Sequence, residues 1–149
     1  INGLNNKKPD LFIIDLKLKL KKKLSLNKYL KARKIYIITS KTNSKRILSY
    51  KKLGYKIILI DKLDDKRDFN LLYKKIYKIG YSRMLIEAGL TFLNSLIKTR
   101  MVHDLYIFKS DKNLGKKGKN NNTSDYIKKI RSKLLTINLN GDNLFKKEF

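Results

Sequence analysis

The stretch Ser-Arg-Met-Leu-Ile-Glu-Ala-Gly-Leu-Thr-Phe-Leu-Asn-Ser, residues 82–95, decides how the chain is read. Met84, Leu85 and Ile86 form a short apolar run suited to a strand covered on both faces, and Leu90, Leu93, Leu96 and Ile97 recur at helical spacing directly after it. Between them Glu87-Ala88-Gly89 reads as a tight turn that favours glycine. A strand, such a turn and a helix in this order form a phosphate cradle. The helix start aims backbone N–H groups and the positive end of its dipole at an anion above the sheet, the usual seat of a dinucleotide pyrophosphate.

Working outward, Asp10-Leu-Phe-Ile-Ile-Asp15 predicts a buried strand. Residues 16–23 alternate leucine and lysine with period two, which predicts an extended edge with one buried face. Residues 35–39 predict a second strand, residues 44–52 a helix closed by Gly54, and residues 56–60 a third strand. Asp68 is an N-cap candidate for a helix that carries Phe69, Leu72, Tyr73, Ile76 and Ile79 up to Gly80. After the cradle comes a strand over residues 103–108 and a Lys/Asn/Gly-rich connector to Asp125. Two strand-like runs about Asn140-Gly141 then predict a hairpin with a type I′ turn. Strands and helices alternate before the chain finishes in antiparallel β. The expected fold is therefore α/β, a mixed sheet flanked by helices with a C-terminal antiparallel hairpin.

A length of 149 residues, 42% of them apolar, fits one compact domain spanning 1–149. The absence of cysteine excludes disulfides, thiolate zinc and a cysteine nucleophile, and a single histidine excludes a multi-histidine metal site. No apolar stretch approaches the ~20 residues of a membrane span and no signal peptide is visible, so the expectation is a cytoplasmic protein without a membrane partner. The formal charge of +25 invites a nucleic-acid reading. Lysine supplies nearly all of it, however, in company with abundant isoleucine and asparagine, and is spread through every expected element. That is the pattern of compositional drift on solvated faces, and no nucleic-acid-binding signature accompanies it.

Glu87 stands where the cradle strand ends, at the carboxyl edge where open α/β sheets bind ligands. It can accept hydrogen bonds from a polar ring or a ribose, or act only as a helix-start charge; spacing alone leaves both open. Thr91, Asn94 and Ser95, in the first turns of the helix, suit a phosphate or ribose, or serve as ordinary caps. Asp15 and Ser40 close their strands at the same edge and are equally ordinary as turn residues. His103 has no motif around it, and neither a Rossmann glycine fingerprint nor a Walker A loop is present. Any enzymatic step would depend on a cofactor for the hard chemistry.

Met84-Leu-Ile-Glu-Ala-Gly-Leu-Thr-Phe-Leu, followed by Lys98-Thr-Arg-Met-Val-His-Asp-Leu-Tyr-Ile-Phe-Lys, resembles the reductase domain of the bifunctional riboflavin-biosynthesis deaminase/reductase family (RibD). That family places a Glu-Gly-Gly-Pro-Thr or Glu-Ala-Gly-Pro-Thr turn between strand and helix. Order and spacing agree over residues 9–118: Pro9-Asp-Leu-Phe-Ile-Ile-Asp15 resembles its first strand, and Asn113-Leu-Gly115 the segment after the later strand. The resemblance implies a dihydrofolate-reductase-like fold and NADPH-dependent reduction of 5-amino-6-(5-phosphoribosylamino)uracil to its ribitylamino form. It assigns substrate contact to Glu87 and NADPH contact to Gly89, Leu90, Thr91, Phe92, Leu93, Asn94 and Ser95. Leu16, where the family usually has serine, is implied as a further cofactor contact through backbone or packing. Leu90 stands in place of the usual proline. The family commonly pairs through its sheet, which implies a homodimer. The chain starts about where an Asp-Pro-x-Leu-x-x-Arg segment of the family stops, and it lacks the deaminase zinc signature; the expectation is a reductase domain truncated on its N-terminal side. Two rival readings stay open: a basic nucleic-acid-binding module, and a non-catalytic fragment of the reductase.

Overall fold

The computed structural model describes residues 8–21, 24–40, 44–110, 125–139 and 141–149. The chain divides into two compact units, Ile1–Tyr81 and Ser82–Phe149. The first is built on a parallel sheet of β1 (Leu11–Ile14), β2 (Ile35–Thr39) and β3 (Lys56–Leu59), in the order β1-β2-β3. All five residues of β2 are buried, and its side chains alternate between two apolar layers. Ile35 and Ile37 meet Leu18, Ile47, Tyr50 and Tyr55, whereas Tyr36 and Ile38 meet Ile58, Ile60, Leu72 and Ile76. A short 3-10 helix (Ser25–Tyr29) and α1 (Ser44–Lys52) cover the first face; α2 (Lys66–Lys78) covers the second. Both strand connections on one face is what two crossovers of the same hand produce in this strand order.

Glycines end both helices as the sequence predicts. Gly54 and Gly80 take φ of +100° and +99°, left-handed backbone that a side chain would strain. The start of α2 differs from expectation. Asp65 is the N-cap and accepts from the N–H groups of Arg67 and Asp68, while the Asp68 carboxylate reaches back to the N–H of Asp65. Asp68 is thus the returning half of a capping box, a role that needs only a carboxylate three residues after the cap.

The leucine–lysine alternation of residues 16–23 does not make an edge strand over its described part, residues 16–21. Asp15 accounts for this. Its carbonyl accepts the N–H of Leu18 at 2.9 Å and its carboxylate that of Leu20 at 2.7 Å, so donors that a ladder would use are taken by a local turn. Leu18 adopts φ of +50° within that turn and is fully buried beneath α1.

The second unit contains α3 (Leu90–Lys98), β4 (Asp104–Lys109), α4 (Asp125–Lys128), β5 (Lys133–Leu139) and β6 (Asp142–Glu148). Its three strands form an antiparallel sheet in the order β4-β6-β5. Leu139 pairs with Asp142 as the expected hairpin requires, although the type I′ assignment falls on Asn140, outside the described residues. Lys146 stands between two carboxylates on one sheet face, 3.2 Å from Asp104 and 2.6 Å from Glu148.

The protein is thus α/β, but its parallel and antiparallel strands belong to separate sheets where the sequence predicts a single mixed one. The run expected to join them is the reason. Met84, Leu85 and Ile86 lie in an irregular segment, pair with no strand, and are exposed by 38, 83 and 41%. A continuous apolar run specifies a surface that profits from cover, but it does not supply the neighbouring edge that would make it a strand.

Candidate functional site

The helix expected after the Glu-Ala-Gly run is present and starts at Leu90. Gly89 is the N-cap of α3, with extended backbone (φ −66°, ψ 162°), and the first intrahelical bond runs from the N–H of Leu93 to the Gly89 carbonyl at 3.1 Å. These dihedrals are open to any residue, and a Cβ at Gly89 would meet no atom within 4 Å. The glycine is therefore not demanded by a tight turn or by close packing, contrary to the sequence reading. What it contributes is the lack of a side-chain cap: no side chain of residue 89 competes for the amino end of the helix.

Two residues earlier, Glu87 is exposed on the irregular segment, not at the end of a strand. Thr91 is exposed, and Leu90, Phe92, Leu93, Asn94 and Ser95 are half-buried on the first turns of α3, whose buried anchor is Leu96 and Ile97. Ser95 donates its hydroxyl to the Thr91 carbonyl at 3.3 Å, the back-bond that serines make within helices. Asn94 differs: its side-chain oxygen is shielded from solvent and accepts no hydrogen bond among the described residues. Such an acceptor suits a hydroxyl or amide N–H, not a phosphate oxygen.

The remaining expected contacts lie in the first unit. Leu16 packs into the apolar layer under α2, and its carbonyl accepts from the Thr39 hydroxyl and the Ser40 N–H, both at 3.2 Å. Asp15 is the turn residue described above. Among the described residues, the structure therefore gathers Glu87 and Gly89 to Ser95 along one continuous segment, with Leu16 in the other unit. His103 is exposed, and its backbone carbonyl accepts the N–H of Phe149 at 2.9 Å. No group of three or more potential metal ligands occurs among the described residues. No helix there is long and apolar enough to cross a membrane.

Two polar arrangements were not foreseen from the sequence. The Tyr81 hydroxyl donates to the Asp10 carboxylate, and its ring packs edge-on against Phe12 and Tyr36 at centroid distances of 5.0 and 5.9 Å. That hydrogen bond, followed by one to Tyr36, holds the Tyr81 phenol well above its ordinary pKa. In the second unit, the Glu148 and Asp104 carboxylates likewise hold the Lys146 ammonium protonated beyond the usual lysine range. The Tyr81–Asp10 and Lys146–Asp104 contacts join residues distant in sequence, which no local motif announces. Comparison of the chain with protein-family models and with curated proteins finds no match to either.

Proposed function

We propose that this chain is the reductase part of a riboflavin-pathway enzyme that reduces a phosphorylated ribosylaminouracil at the expense of NADPH. The observation that carries this reading is the start of α3 at Gly89, the place that the Glu-Ala-Gly turn assigns to cofactor binding. A helix amino end whose N-cap is glycine fits the diphosphate of a dinucleotide by the sign of its dipole. The orphaned acceptor of Asn94 fits a ribose hydroxyl or a carboxamide N–H.

NADPH bound there would supply the hydride equivalent that reduces the ribosylamino group to ribitylamino. The residues of this chain bind and orient. The backbone N–H groups at the α3 amino end hold negative charge, and the Glu87 carboxylate accepts hydrogen bonds from hydroxyls of the sugar. The test is substrate-dependent NADPH consumption by the protein and by a Glu87→Ala variant. Consumption that is absent, or that is unchanged in the variant, overturns the assignment.

A further inference from the structure

A second charged feature lies at the opposite end of the parallel sheet from Asp15 and Ser40. The strand register pairs Leu11 with Ile35 and Tyr36 with Lys56, so Asp10, Lys34 and Lys56 all come to the amino ends of their strands. With Leu30, Lys31, Ala32, Arg33 and Gly54 they line an open cleft of about 240 Å³. Four of its eight lining residues are cationic, so charge sets its chemistry. Immediately beside it, the Lys8 ammonium, the Lys28 ammonium and the Arg33 guanidinium sit 4.7, 5.2 and 5.6 Å from the centre of the Tyr29 ring. These cations lie about a Debye length or less from one another, about 10 Å at 0.1 M salt, and repel.

Among the described residues, no ion pair relieves that repulsion. The ion pairs among the described residues involve Lys62 and Lys146, not the cations of the cleft. The one carboxylate in the lining, Asp10, is already engaged by the N–H of Lys34 at 2.8 Å and by the Tyr81 hydroxyl. Arg33 donates one terminal N–H to the Pro9 carbonyl at 3.4 Å, while its Nε is shielded from solvent and has no hydrogen-bond partner among the described residues. A buried guanidinium N–H without an acceptor is costly, and it points to an acceptor of high charge density.

We propose that this cleft binds a phosphate-bearing anion through Lys31, Arg33, Lys34 and Lys56. Arginine takes phosphate oxygens through its planar fork, and the lysines neutralise the remaining charge as mobile point charges. The site is independent of the α3 helix start and of the reductase reading.

The probe is inorganic diphosphate, titrated against the whole chain in a thermal-shift assay with sodium chloride of equal ionic strength as reference. Lys31→Gln/Lys34→Gln alters two exposed side chains and spares the fold. Lys51→Gln/Lys78→Gln removes the same charge from exposed helix ends elsewhere and serves as control. A saturable rise in Tm beyond that given by chloride is expected. Affinity should be weakened about tenfold by the cleft substitutions, the scale of a charge-assisted contact, and less than about twofold by the control. Absence of a saturable shift, or equal weakening by both double variants, overturns the site. A single-stranded oligothymidylate added as competitor identifies the source of the phosphate: displacement of diphosphate at lower phosphate concentration assigns a nucleic-acid strand, and failure to displace assigns a small phosphate ester.

Discussion

Asp65 and Tyr81 are held away from their ordinary pKa values in opposite directions. Hydrogen bonds from the N–H of Asp68 and then of Arg67 hold the Asp65 carboxyl below its ordinary value. A carboxylate depressed on folding contributes stability that is present above the unfolded value, about 4, and is lost as pH falls through the folded value. Asp65→Ala is therefore expected to destabilise at neutral pH, with the difference from wild type shrinking as denaturation curves are taken into acid. Tyr81 has the opposite sign. Its folded value is raised, so the contribution is complete below the unfolded value of about 10 and disappears as pH rises through the folded one. Tyr81→Phe keeps the ring against Phe12 and Tyr36 and loses only the hydroxyl, at a cost of about 1 kcal/mol near neutrality. Urea titration at neutral and strongly alkaline pH distinguishes that behaviour from a simple packing loss.

At the scale of elements, the contrast between β2 and residues 84–86 is the sharpest. Ile37 is fully buried on the β2 face that α1 covers. Ile37→Ala should cost about 2–5 kcal/mol, read as a lowered denaturant midpoint with unchanged slope. Leu85, 83% exposed, should tolerate serine within about 0.5 kcal/mol. A large loss from Leu85→Ser would restore the buried strand that the sequence predicts there. The two segments look alike as letters, because apolar character records a need for burial while burial itself depends on a partner. Elements closed by their own signals were legible for that reason: α1 ends at Gly54, α2 at Gly80, and β5 turns into β6 by Gly141. The start of α3 was legible from the helical spacing of Leu90, Leu93, Leu96 and Ile97, not from a conformation that Gly89 alone could adopt. The edge strand after Asp15 was not, since a side-chain acceptor one residue upstream outcompeted the ladder. The basic cleft was hidden because register, not sequence adjacency, brings Lys56 to Lys34.

For the molecule as a whole, the charge of +25 is the dominant physical fact. Self-repulsion at that charge opposes compactness and is screened by salt. Raising sodium chloride from about 0.05 to about 0.5 M, which shortens the screening length about threefold, should therefore raise Tm; a flat or falling Tm would show that the lysines are already neutralised. The same field draws anions toward the chain, and the account gives them two kinds of seat. One is the α3 amino end preceded by Glu87; the other is the cationic cleft at the amino end of the parallel sheet. The reductase reading is tested most directly by the steady-state rate of NADPH oxidation with phosphorylated ribosylaminouracil as substrate, compared between the protein and Glu87→Ala. Substrate-dependent oxidation is expected, with kcat/KM falling about tenfold to hundredfold in the variant, the loss of a hydrogen bond to a charged group. No substrate-dependent oxidation, or an unchanged kcat/KM in the variant, would contradict it.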